Sequence, residues 1–221
     1  MQPNAAGNVE SNAGYWPARN AMLTTIPNLL TLSRIVAIPL VIATFYMASP
    51  DGPWLGCAIF SLAGVTDWLD GQLARMWHQQ SDLGRFLDPV ADKLLVATTL
   101  FMLAAYGRMS VGSILPALVI LMREIMVSGL REHLAGLRVG MPVSKLAKWK
   151  TFIQMLAIGV LLVGDAGPAA LHVRAIGEFL LWIAAVLTVK TGYDYLRAGL
   201  SHLNHPAPQH TPMKTAKPSA T

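Results

Sequence analysis

Cysteine is almost absent from this chain. Cys57 stands alone, so no internal disulfide can form and nothing points to an oxidising compartment. It lies in an apolar stretch, where a free cysteine is a small buried side chain rather than a nucleophile. Charge is scarce too: 13% of the 221 residues are Asp, Glu, Lys or Arg, against 53% hydrophobic. With a mean hydropathy of +0.45, that is too apolar for an ordinary soluble domain. Acids are the scarcer sign, 12 against 17 basic residues, for a net charge of +5. In a soluble protein that excess would suggest nucleic acid. Here most basic residues flank apolar segments, which points to a membrane surface and to no nucleic-acid partner.

Apolar character is missing only at the ends. Residues 1–22 are rich in Asn, Ala and Gly and lack the charged-then-apolar order of a cleaved signal peptide. They read as a disordered N-terminus, and 201–221, mixing Pro, His, Lys and Thr, as a disordered tail. Between them, 23–200 reads as one all-α transmembrane unit with six segments near the ~20 residues that a crossing needs. The segments run roughly 26–48, 54–78, 82–106, 112–136, 147–165 and 170–197, broken by stretches such as Ser49-Pro50-Asp51-Gly52-Pro53. Loop charge orients them. Arg19, Arg75, Arg85, Arg131, Arg138, Lys145, Lys148, Lys150, Arg197, Lys214 and Lys217 fall on one side, Arg108 and Arg174 on the other. The positive-inside rule puts the first side, with both termini, in the cytoplasm. Trp54, Trp77 and Trp149 fall near segment ends, as interfacial aromatics do.

Five of the 12 acids crowd into one window: Asp67, Asp70, Asp82, Asp88 and Asp92. Asp67 and Asp70 lie about 60° apart on a helix, Asp88 and Asp92 about 40° apart, so each pair shares a face. The short turn between the second and third segments predicts antiparallel neighbours, with both acidic faces at one depth near the cytoplasmic surface. Four facing carboxylates repel one another. Divalent cations relieve this, and oxygen ligands suit hard ions such as Mg²⁺ or Mn²⁺. Pro89 leaves two local readings open. Asp88 caps a helix that starts at Pro89, or the helix starts near Ser81-Asp82 and contains Pro89. Asp82 reads as a helix N-terminal acid.

Gly71, Ala74 and Gly84 are small residues beside the acids, able to let helices or a flat ligand approach the backbone. Arg75 adds a cation suited to a phosphate oxygen. Metals, an arginine and a small-residue floor together describe a cradle for a nucleotide diphosphate. His78, His133 and His172 have no partner at metal-ligand spacing, and the methionines read as apolar filler.

These residues form the pattern D-x-x-D-G-x-x-A-R-x8-G-x3-D-x3-D, and the chain resembles the CDP-alcohol phosphatidyltransferases in every fixed position of it. Ile26-Pro27-Asn28-Leu29-Leu30-Thr31-Leu32-Ser33-Arg34 and Phe86-Leu87-Asp88-Pro89-Val90-Ala91-Asp92-Lys93 resemble the phosphatidylglycerophosphate synthase branch. So do Arg123-Glu124-Ile125, Ser128-Gly129-Leu130-Arg131-Glu132, and Lys148 and Lys150-Thr151 with Gln154-Met155. The resemblance implies a six-helix membrane enzyme, usually a homodimer, with a two-metal Mg²⁺ or Mn²⁺ site. It implies transfer of a phosphatidyl group from CDP-diacylglycerol to sn-glycerol 3-phosphate with release of CMP. By position, Asp67, Asp70, Asp88 and Asp92 hold metal, Asp92 is also the general base, and Gly71, Ala74, Arg75 and Gly84 line the CDP site.

The doubly anionic acceptor needs cations of its own. Arg34, Arg123, Arg131, Lys145, Lys148 and Lys150 are available on the cytoplasmic side. Arg34 and Arg123 sit inside apolar segments, where a charge calls for a ligand or a partner such as Glu124. Lysines at 145, 148 and 150 fit positive-inside flanks equally well. Other acceptors stay open within the family: phosphatidylglycerol (making a cardiolipin synthase), serine or inositol phosphate. From another class, a cation transporter would place acids at midplane on more helices, and Arg75 would repel its cargo.

Overall fold

In a computed structural model of the chain, residues 26–77, 82–136 and 145–204 are described. The side chains of 26–30, 67–77, 82–86, 88, 135, 145 and 198–204 lie outside that description. Among the described residues there are six α-helices and no strand: α1 (Ile26–Phe45), α2 (Gly52–Trp77), α3 (Asp82–Ala105), α4 (Val111–Gly136), α5 (Lys145–Val163) and α6 (Val173–Asn204). Two single 3₁₀ turns, Gly164–Ala166 and Ala169–Leu171, link α5 to α6. Each helix overlays one expected segment, and α6 runs past the expected end at 197.

The helices are apolar because the run of residues that forms them is. Three are long and apolar enough to cross a membrane: Val111–Leu134, Leu146–Ala166 and Ala169–Arg197. Thr31–Phe45 and Gly52–Thr66 are shorter apolar helical stretches. On α1, Leu32, Val36 and Leu40 form an exposed row at one-turn spacing; on α6, Phe179, Trp182, Val186, Val189 and Tyr193 form another. Such large outward apolar surface suits lipid, not water. The breaks have local causes. At the end of α3, Gly107 takes a left-handed conformation (φ +63°). There the Arg108 amide donates to the Leu103 carbonyl at 2.9 Å and the Gly107 amide to the Ala104 carbonyl at 3.2 Å. This is a Schellman termination, which the missing Cβ makes cheap.

The helices close into a ring in the order α3, α1, α2, α5, α6, α4, with the α3–α4 seam the thinnest contact. Its core holds Val41, Phe60, Leu95, Leu103, Ile120, Leu161 and Leu181, all essentially excluded from solvent. Gly177 sets the α5–α6 spacing, since a Cβ there would fall 2.8 Å from Leu161 Cγ and 3.1 Å from its backbone nitrogen. The expected pairing of the second and third segments falls largely on 67–77 and 82–88, most of whose side chains lie outside the described residues. Among the described residues α2 and α3 each pack along α1 and touch each other little.

One end of the ring is knotted by polar contacts. The Ser110 amide and hydroxyl both donate to the Glu178 carboxylate at 2.7 Å, tying the α3–α4 loop to the start of α6. Arg174 donates to Glu178 and to Asp165, each at 3.3 Å. Arg108 donates to the Leu162 carbonyl at 3.1 Å and lies 4.6 Å over the Phe45 ring. Burial pushes the Arg108 guanidinium pKa down and Asp165 opposes that shift. Arg108 and Arg174, expected together on one side of the membrane, are therefore at the same end of the bundle.

Candidate active site

The acidic window sits on continuous helix. α2 runs unbroken through Asp67 and Asp70 to Trp77, and α3 from Asp82 through Asp88 and Asp92. Pro89 lies inside α3, so Asp88 is an interior helical residue and not the cap of a helix starting at Pro89. Proline in the eighth position leaves one carbonyl of the preceding turn without its amide partner. One turn on, the Lys93 ammonium donates to the Pro89 carbonyl at 2.8 Å. Helical backbone at these positions makes the one-turn spacing of each aspartate pair real. Four residues separate Trp77 from Asp82, which holds the two helix ends within about 18 Å. The side chains of Asp67, Asp70, Gly71, Ala74, Arg75, Gly84 and Asp88 lie outside the described residues. Four carboxylates offer only hard oxygen donors, a set that fits Mg²⁺ or Mn²⁺.

Asp92 is described, half-buried, and lines a cleft of ≈ 390 Å³ at the thin α3–α4 seam. Glu124 and Ser128 from α4 and Thr151 and Gln154 from α5 line it too. The Lys150 ammonium donates to the Glu124 carboxylate, with side chains 4% and 20% exposed. It also lies within electrostatic reach of Asp92. An ammonium so well buried is tolerated because two carboxylates face it. Gln154, one helical turn beyond Lys150, is 3% exposed. Its Oε1 is buried with no hydrogen-bond partner among the described residues.

A second cationic group forms between α4 and α6. Arg123 donates to the Thr191 hydroxyl at 3.0 Å and lies 4.0 Å from Glu124, the partner expected for it. Its guanidinium carbon is 5.6 Å from the centre of the Tyr195 ring, and that of Arg131 is 5.7 Å from the same ring. Gly192 makes room, since a Cβ there would fall 2.9 Å from Arg123 Cγ. Arg123 Nε and the Tyr195 hydroxyl are buried without partners among the described residues. Of the other expected acceptor cations, Arg34 is buried on α1 and Lys148 is exposed on α5. The Lys145 side chain lies outside the described residues.

The structure therefore joins Asp92 with Lys150, links Arg123 to Lys150 through Glu124, and places Arg131 beside Arg123 over Tyr195 on the α6 side. Sequence reasoning missed Gln154 and Tyr195 as site-facing groups. The four-residue spacing of Lys150 and Gln154 was the available signal for one; nothing near Tyr195 pointed to the other. A larger cavity of ≈ 610 Å³ lies at the opposite end, lined by Asp165, Arg174 and Glu178. Those groups already pair with one another.

A family profile described as CDP-alcohol phosphatidyltransferase matches residues 24–190. The chain belongs to the CDP-alcohol phosphatidyltransferase family. It is 48% identical over 173 residues to a Rickettsia bellii protein, covering 78% of this chain and 94% of that one. It is 39% identical over 214 residues to a protein of Cereibacter sphaeroides, covering 81% and 97%. With a Haemophilus influenzae protein the identity is 41% over 184 residues, covering 82% and 97%. All three bear the name CDP-diacylglycerol–glycerol-3-phosphate 3-phosphatidyltransferase. As a member of this family the chain is an enzyme.

Proposed function

We propose that the chain transfers the phosphatidyl group of CDP-diacylglycerol to sn-glycerol 3-phosphate, giving phosphatidylglycerophosphate and CMP. The observation that carries this reading is the name shared by relatives aligned over 94–97% of their own length. The cleft agrees with it: Asp92 lines it, and so does Glu124, the carboxylate that holds the buried Lys150 ammonium.

In this reading Asp92 accepts the proton of the acceptor's 1-hydroxyl, and that oxygen attacks the lipid-bearing phosphorus in line with the departing CMP. A carboxylate is a weak base for an alcohol, so most of the acceleration comes from positioning and electrostatics. Asp67, Asp70, Asp88 and Asp92 would hold two Mg²⁺ or Mn²⁺ ions, which when bound neutralise the diphosphate and the charge developing on CMP. Gly71, Ala74, Arg75 and Gly84 bind the CDP moiety. Lys150 meets the acceptor phosphate, with Arg34, Arg123, Arg131, Lys145 and Lys148 as the surrounding cations. The helices make six crossings of a bacterial cytoplasmic membrane. The Asp92 end and both termini lie in the cytoplasm, and the working unit is a homodimer.

Purified protein given CDP-diacylglycerol, glycerol 3-phosphate and Mg²⁺ releases CMP and forms phosphatidylglycerophosphate in equal amounts. No CMP release would overturn the reading. Product from phosphatidylglycerol, serine or inositol phosphate in its place would move the chain to another branch of the family.

A further inference from the structure

Gln154 is the outlying polar group of the cleft. Its side chain is almost wholly buried, and its carbonyl oxygen meets no donor among the described residues. A buried amide oxygen without a partner is costly, and proteins leave few of them. Nearby side chains do not relieve it. The Thr151 hydroxyl donates to the Ala147 carbonyl at 3.1 Å. Lys150 donates to Glu124.

The position of Gln154 in the fold says what kind of donor fits. Lys150 and Gln154 are one turn apart on α5, so their side chains lie on one face about 6 Å apart along the axis. Gln154 on α5 and Asp92 on α3 line the same cleft. Glycerol 3-phosphate spans a comparable length, with its 2-hydroxyl between the phosphate and the reacting 1-hydroxyl. With the phosphate toward Lys150 and the 1-hydroxyl at Asp92, the 2-hydroxyl is left facing Gln154.

We propose that Gln154 is a specificity-determining residue whose Oε1 accepts a hydrogen bond from the 2-hydroxyl of the acceptor. This deepens the proposed function and rests on its choice of glycerol 3-phosphate. A hydroxyl there satisfies the buried oxygen; an acceptor without one leaves it stranded, and that difference is the discrimination. The amide also fixes the three-carbon chain between its two charged ends, so the 1-hydroxyl is presented at the depth of Asp92.

The test compares two acceptors on one preparation: glycerol 3-phosphate and 3-hydroxypropyl phosphate, which keeps the phosphate and the reacting hydroxyl but lacks the 2-hydroxyl. The wild-type protein prefers glycerol 3-phosphate in kcat/KM by roughly 10- to 100-fold. In Gln154→Met, which preserves shape without the amide, that preference collapses to about threefold or less. Because both acceptors are read on the same sample, partial misfolding cancels from the ratio. A preference unchanged in Gln154→Met overturns the inference alone. Wild-type protein active with another family acceptor and inactive with glycerol 3-phosphate overturns the proposed acceptor, and this inference with it.

Discussion

The two ends of the bundle treat buried polar groups in opposite ways. At the Arg108 end, Glu178 takes two bonds from Ser110 and one from Arg174, and Arg174 reaches on to Asp165. Arg108, Asp165, Arg174 and Glu178 all have partners there. At the Asp92 end, Gln154 Oε1, Arg123 Nε and the Tyr195 hydroxyl are buried without partners among the described residues. The larger cavity belongs to the satisfied end and the smaller cleft to the unsatisfied one. Volume is thus a poor guide to chemistry in this fold. Polar groups that are closed on themselves hold helices together, whereas groups left open in a packed protein await a ligand.

Metal removal should separate the ends most sharply. Chelation with EDTA is expected to lower CMP release by more than about a hundredfold, and Mg²⁺ or Mn²⁺ to restore it. Activity that survives thorough chelation would remove the metal from the aspartate window. Next in size is Asp92→Asn, with an expected loss in kcat of roughly 10²- to 10⁴-fold and little change in Tm in detergent. Substantial residual turnover would take Asp92 out of the base role.

Gly192→Ala probes the α4–α6 group. The added methyl presses on Arg123, so a loss of about 1–3 kcal/mol in stability is expected, together with a raised KM for glycerol 3-phosphate. An unchanged KM would reduce Arg123 to a packing role. The smallest effect belongs to the closed end. Ser110→Ala removes the side-chain donor to Glu178 and should lower stability by about 1 kcal/mol, with KM unchanged within twofold. A marked KM effect there would blur the division between the ends.

Much of the architecture was legible in the sequence because apolar runs and their Pro and Gly breaks set helix limits directly. The end of α3 at Gly107 is one such case. The aspartate spacing was equally legible, since periodicity converts sequence separation into a shared face. Pro89 left its helix ambiguous, because proline suits both a first turn and a tolerated interior site. Neighbour relations were harder still. Among the described residues α1 packs along both α2 and α3, and no local pattern encodes one helix taking up both as neighbours. Tyr195 escaped notice for the same reason. Its significance lies in two arginines contributed by another helix, 72 and 64 positions earlier in the sequence.

The most direct test of the division compares Lys150→Gln with Arg174→Gln, measuring kcat/KM for glycerol 3-phosphate. Each variant removes a charge but keeps a donor for its carboxylate partner. Lys150→Gln is predicted to lose at least about tenfold, the scale of one charge-assisted contact to phosphate. Arg174→Gln is predicted to stay within about threefold of wild type while its Tm falls. Equal losses in the two variants would contradict the assignment of chemistry to one end and of structure to the other.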